Sequence, residues 1–101
     1  MEDQYLLDAL KNHLVNEGRL RVYPSKRKYK ILSLFFLASK FEKGKVYTEK
    51  EVNQILLNWH SFNDWAILRR DLYDNYFLGR KSDCSSYWLE DIQPTLESFG
   101  V

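Results

Sequence analysis

From Ser25 to Leu89 the chain reads as helix, very short strand, helix, helix and hairpin, an order that few folds accept in so few residues. The first of these helices, 26 to 40, decides how the others pack. Its opening is basic (Lys26, Arg27, Lys28, Lys30), and its remainder is apolar on nearly every side: Ile31, Leu32, Leu34, Phe35, Phe36, Leu37 and Ala38. A helix without a polar face must be covered all round, so this one is the centre of the domain. Ser25 is placed to cap it, and Pro24 holds the residue before it out of helical geometry.

The other elements have their own signatures. Lys45-Val46-Tyr47 is short enough only for a stub of strand. Thr48 with Glu51 fits a capping box, opening a helix whose stripe is Val52, Ile55, Leu56 and Trp59. Ser61 or Asn63 can cap the next helix, 64 to 75, with Trp65, Leu68 and Leu72 inward. Phe77 to Arg80 and Ser86 to Leu89 are aromatic-rich strands joined by a polar turn, and alternation puts one of Tyr87 and Trp88 on the core side. This is the order of a winged helix-turn-helix: mainly α with a small β-hairpin.

Upstream, Leu6, Leu7, Leu10, His13 and Leu14 make one stripe on an additional N-terminal helix, 3 to 16, and Asn16-Glu17-Gly18 is its exit. Arg19 to Tyr23 alternates as a short strand should. Downstream, Ile92, Leu96 and Phe99 have helical spacing, with Pro94 in a first turn. Both flanks serve either to cap the core or to form a homodimer interface.

The 101 residues suffice for one domain, and 45% apolar content suffices for its core. The longest apolar stretch, 31 to 38, is far short of the roughly 20 residues of a membrane span. The acidic start Met1-Glu2-Asp3-Gln4 lacks the basic region of a signal peptide, and the single Cys84 fits a reducing compartment, so a cytoplasmic protein is expected.

No catalytic set is visible. His13, His60 and Cys84 are single and scattered, no glycine-rich phosphate loop occurs, and the helical carboxylates read as caps or solvated groups. Neither a cofactor nor a metal is expected. With a formal charge of only +1, any affinity for polyanions must come from a local patch. Such a patch exists: Arg19, Arg21, Lys26, Arg27, Lys28 and Lys30 fall in an acid-free run with Tyr23 and Tyr29 interleaved. The bland alternative is a solvated face with snorkelling stems. On helix 64 to 75 the outward face carries Asn63, Ile67, Arg70 and Asp74, with Arg69 at the core edge where its head can reach a carboxylate. Arg80 and Lys81 stand at the hairpin tip beside Asp83.

The chain resembles the DUF2087 domain, a small bacterial domain of uncharacterised function found alone or attached to transcriptional regulators. The matching stretches are Arg19 to Lys26, Tyr47 to Asn53, Asp64 to Leu72 and Tyr87-Trp88. They span 19 to 89, the inferred core, and leave out the N-terminal helix and the tail from 90 to 101. The family typically has a glycine in the hairpin turn, and Ser82 to Ser86 contains none, which leaves the turn type open. The resemblance implies a transcription-linked role and no catalytic residue. The expected function is therefore a winged-helix regulator binding double-stranded DNA. Asn63, Arg70 and Arg69 would face the groove, while Arg19, Arg21, Lys26, Arg27, Lys28, Arg80 and Lys81 would hold phosphates. The second reading is a protein-interaction or dimerisation module on a winged-helix scaffold, with Ile67 and the N-terminal helix as its contact surface.

Overall fold

The all-apolar segment forms α2 (Arg27–Ala38), with Ile31, Leu32, Leu34, Phe36, Leu37 and Ala38 buried. Even Ser33 is buried, its hydroxyl donating to the Tyr29 carbonyl at 2.8 Å, the usual way a serine is accommodated inside a helix. A computed structural model describes residues 3–15 and 17–100 of the chain. In it α2 is packed between α1 (Asp3–Leu10) and α4 (Trp65–Asp74), and α3 (Glu49–Trp59) packs on α4.

Three strands complete the architecture: β1 (Val46–Tyr47), β2 (Leu78–Arg80) and β3 (Tyr87–Leu89). They form one antiparallel sheet in the order β1-β3-β2, with Tyr47 opposite Tyr87 and Gly79 opposite Trp88. Tyr87 and Leu89 face the core, so Trp88 lies on the other side, as strand alternation requires. Its indole lies over Gly79 and donates to Glu90 at 2.7 Å. A Cβ at Gly79 would collide with Trp88 Nε1, so glycine is what lets the indole lie there. The hairpin turn needs a left-handed residue, and Cys84 supplies it at φ 63° where a glycine would do so without strain. Its N–H closes the turn on the Lys81 carbonyl at 2.9 Å.

The capping box forms as the sequence predicts. The Glu51 N–H donates to Thr48 Oγ1 at 3.1 Å, and the Thr48 N–H donates to Glu51 Oε1 at 2.9 Å. That second bond, from the Thr48 backbone, holds the Glu51 carboxyl below its ordinary value. A depressed carboxyl stabilises the fold above its unfolded pKa, and the contribution disappears as pH falls through the folded value. Glu51→Gln is accordingly expected to flatten the acid limb of stability between roughly pH 5 and pH 3. Thr48→Ala should cost about 1 kcal/mol near neutrality. Urea titrations at stepped pH measure both.

Several expectations are corrected. Ser25 does not cap α2: the N-cap is Lys26, which makes no side-chain bond, so the first-turn amides stay open. Neither Ser61 nor Asn63 caps α4, whose N-cap Asp64 makes no side-chain bond either. Buried His60 acts instead, its Nδ1 bonding the Leu56 carbonyl while Nε2 accepts the Asp64 N–H at 2.9 Å. One ring thereby fastens the end of α3 to the start of α4.

The N-terminal helix is shorter than its stripe implies. It gives way to a 3-10 turn at Lys11–His13 and an extended Leu14, and Asn16 of its expected exit lies outside the described residues. Gly18 is left-handed there at φ 75°, as expected. The segment from Arg19 to Tyr23 is not a strand. Leu20 alone bridges Leu14 on one side and His60 on the other, because each neighbour offers a single residue for pairing. In the tail, only Glu97–Phe99 is helical, as a 3-10 turn, and Ile92 is 90% exposed. Leu96 and Phe99 nonetheless reach the core, Phe99 stacking on Phe77 at 5.9 Å. With Leu6 and Leu10 buried from α1, the core extends beyond 19–89.

Candidate nucleic-acid interface

The solvent face of α4 follows from its inward one. Leu68 and Leu72 are fully buried, which turns Ala66, Arg70 and Asp74 outward at the helical pitch. Arg70 is 68% exposed and 4.0 Å from Asp74, a pair too loose and too solvated to hold the guanidinium. Asn63, just before the helix, is exposed in the left-handed conformation at φ 56°. Ile67 departs from expectation. It is half-buried against the core, so it is not the free apolar contact that its position on the helical wheel implied.

One flank of α4 meets Tyr23, in the loop that leads into the basic start of α2. Lys26, Arg27 and Lys28 are all exposed, at a helix start whose amides no side chain caps. The Tyr23 hydroxyl donates to Asp71 at 2.6 Å and thereby ties this segment to α4. Burial pushes that hydroxyl far above its ordinary value, and the Asp71 carboxylate adds to the effect, so Tyr23 stays a donor. The Lys30 ammonium lies 5.0 Å from the Tyr23 ring, holding the phenol from the other side.

Arg19 and Arg21 are both engaged with backbone carbonyls. The Arg19 guanidinium donates to the Leu57 carbonyl at 2.9 Å and to that of His60, occupying the open carbonyls at the end of α3. Arg21 donates in the same way to the Asn12 carbonyl, through Nε at 3.1 Å and through Nη2. Both are therefore braces between chain segments. Arg19→Ala should cost about 1–3 kcal/mol, since buried carbonyls lose a charged donor. Chemical denaturation reads that loss, and the affinity for nucleic acid should be unchanged.

The other flank of α4 meets the hairpin. Arg69 does reach a carboxylate, Glu49 Oε1 at 3.0 Å, and also the Asn53 side-chain oxygen, so it joins α3 to α4 and does not face outward. Arg80 lies over the Tyr73 ring, its Cζ 4.0 Å from the centroid, and is set back from the tip. The Tyr87 hydroxyl beside it pushes the Arg80 guanidinium further up from its ordinary value. Burial in turn raises the Tyr87 hydroxyl, which stays a neutral donor. Lys81 is exposed at the turn, near Asp83, whose carboxyl is held below its ordinary value by hydrogen bonding to Ser85. Cys84 is half-buried rather than fully exposed.

Two residues of structural consequence escape sequence reasoning. His60 shows no signal beyond being a polar residue between two helices. Tyr87 was legible only as a core aromatic, and its position between Arg69 and Arg80 depends on the sheet register. Among the described residues no three His, Cys, Asp or Glu side chains gather as metal ligands would. Nor is any helix among them long and apolar enough to cross a membrane.

The molecule is thus a small, mainly helical domain with a three-stranded antiparallel sheet, whose charged helix face lies between a basic helix start and an arginine-bearing hairpin. Residues 19–89 match the model of DUF2087, described as an uncharacterized protein conserved in bacteria, and the chain belongs to that family. No curated protein and no solved structure matches the chain.

Proposed function

We propose that this protein is a non-catalytic, winged-helix DNA-binding regulator, or a subunit of one. The order helix–strand–helix–helix–hairpin with strands arranged β1-β3-β2 supports the winged-helix reading, in which α4 is the recognition helix and the β2–β3 turn is the wing. The observation that carries the proposal is the surroundings of α4. Its Asp71 accepts from Tyr23, in the loop that leads into the basic start of α2, and its Tyr73 is covered by an arginine of the hairpin. Lys26, Arg27, Lys28 and Lys81 are the phosphate contacts in this reading, and Arg70 with Asn63 reaches base edges.

The test is fluorescence anisotropy of a labelled random duplex at about 50 and about 200 mM salt. Neutralising about four phosphates gives a log–log salt slope near −3.6, or roughly a 150-fold loss of affinity across that interval. Absence of binding at low salt removes the DNA reading and leaves a protein-interaction module. Arg70→Ala separates base reading from phosphate contact. It should cost about 1–3 kcal/mol on a specific site and much less on random duplex. Equal losses on both would take Arg70 out of any specificity role.

A further inference from the structure

Between α4 and the hairpin lies a cleft of about 370 Å³ lined by Ala66, Ile67, Arg69, Arg70, Arg80 and Tyr87. Half of its lining residues are arginines and none is acidic. Two of the guanidiniums are held from behind: Arg69 by Glu49 at 3.0 Å and Arg80 by the Tyr73 ring at 4.0 Å. The positive charge is not cancelled. Glu49 balances Arg69, and Asp74 at 4.0 Å balances Arg70 only weakly. Among the described residues Arg80 has no carboxylate within ion-pair distance, and its buried Nε has no hydrogen-bond partner. Three guanidiniums on one cleft, one of them with an unpaired donor, suit an anion. Guanidinium forks match the oxygen geometry of phosphate better than that of any spherical ion.

We infer that this cleft seats a phosphate group, held by Arg80 with the Tyr87 hydroxyl as a further donor, while Arg69 and Arg70 contribute charge from the walls. The inference rests on the proposed function only for the source of the phosphate. A duplex lying along α4 brings a backbone phosphodiester to the cleft, whereas a free phosphorylated molecule reaches it without nucleic acid. In either case the ligand bridges α4 and the hairpin and fixes the angle between them.

The experiment follows the arginine Nε–H and backbone amide signals of the ¹⁵N-labelled full chain during titration with inorganic phosphate, ionic strength being matched with sodium chloride. Saturable shifts at Arg70, Arg80 and Tyr87 are expected. Arg80→Gln should weaken them at least about tenfold, the loss of one charge-assisted bond. Arg70→Gln, at an exposed position that does not threaten the fold, should weaken them as well, and Lys11→Gln on the exposed 3-10 turn should not. Shifts that never saturate, or that all three variants lower alike, overturn the site. Duplex anisotropy with added phosphate separates the sources. Displacement at the same phosphate concentration as the saturation midpoint assigns the cleft to the DNA backbone, and saturation without displacement assigns it to a free phosphorylated ligand. Saturation in a protein that binds no duplex keeps the site and removes the DNA reading. Duplex binding without saturation does the reverse.

Discussion

Leu72→Ala is expected to destabilise the protein by about 3 kcal/mol and to lower its melting temperature by roughly 12–24 °C. Leu72 is fully buried on the inward face of α4, so truncation removes its transfer free energy and leaves a cavity in the core. A domain of this size is stable by only about 5–15 kcal/mol, so a large share of its margin depends on that one side chain. Thermal and urea melts measure it. Ile92→Ser, at the most exposed large apolar position among the described residues, serves as the comparison and should stay within about 0.5 kcal/mol. A Leu72→Ala loss as small as that of Ile92→Ser would contradict the assigned inner face of α4. The outward placement of Arg70, and with it the proposed recognition face, would then fail.

The second large effect concerns the basic start of α2. Replacing Lys26, Arg27 and Lys28 together by alanine should reduce the salt slope of duplex binding by up to about 2.7, and weaken binding to all sequences alike. The three side chains are exposed at a helix start without a capping side chain, so the substitution removes charge without removing packing. The melting temperature should therefore hold while affinity falls. Anisotropy at four or five salt concentrations gives the slope directly. An unchanged slope would mean that the duplex does not touch this segment, and the phosphate contacts would have to lie on the hairpin side of α4.

The two substitutions separate what holds the fold from what the surface does, and the sequence had not separated them fully. It offered Arg19, Arg21, Lys26, Arg27, Lys28 and Lys30 as one basic run. In the folded chain the run divides: the two arginines donate to backbone carbonyls of other elements, Lys30 lies against the Tyr23 ring, and Lys26, Arg27 and Lys28 stay in water. Arg69 and Arg70 divide in the same way, one held by Glu49 on α3 and the other exposed. Ile67, outward on an ideal wheel, turns out half-buried against the core.

Sequence alone determined whatever depends on a few neighbouring residues. The capping box of Thr48 and Glu51 is a contact three residues long, the Val52–Leu56 stripe is a matter of helical pitch, and α2 had to be buried because it has no polar side to expose. The alternation of Tyr87 and Trp88 belongs to the same class. Only the tertiary structure decided where long cationic side chains end, because their acceptors come from distant parts of the chain: Leu57 and His60 for Arg19, Glu49 for Arg69, the Tyr73 ring for Arg80. It also replaced the expected serine and asparagine caps of α4 with His60, and limited the segment at Leu20 to single bridges. The physical reason is one of range. Backbone geometry and periodicity are set within a turn or two of chain, whereas a flexible charged side chain goes to whichever carbonyl or carboxylate the packed core brings within its reach.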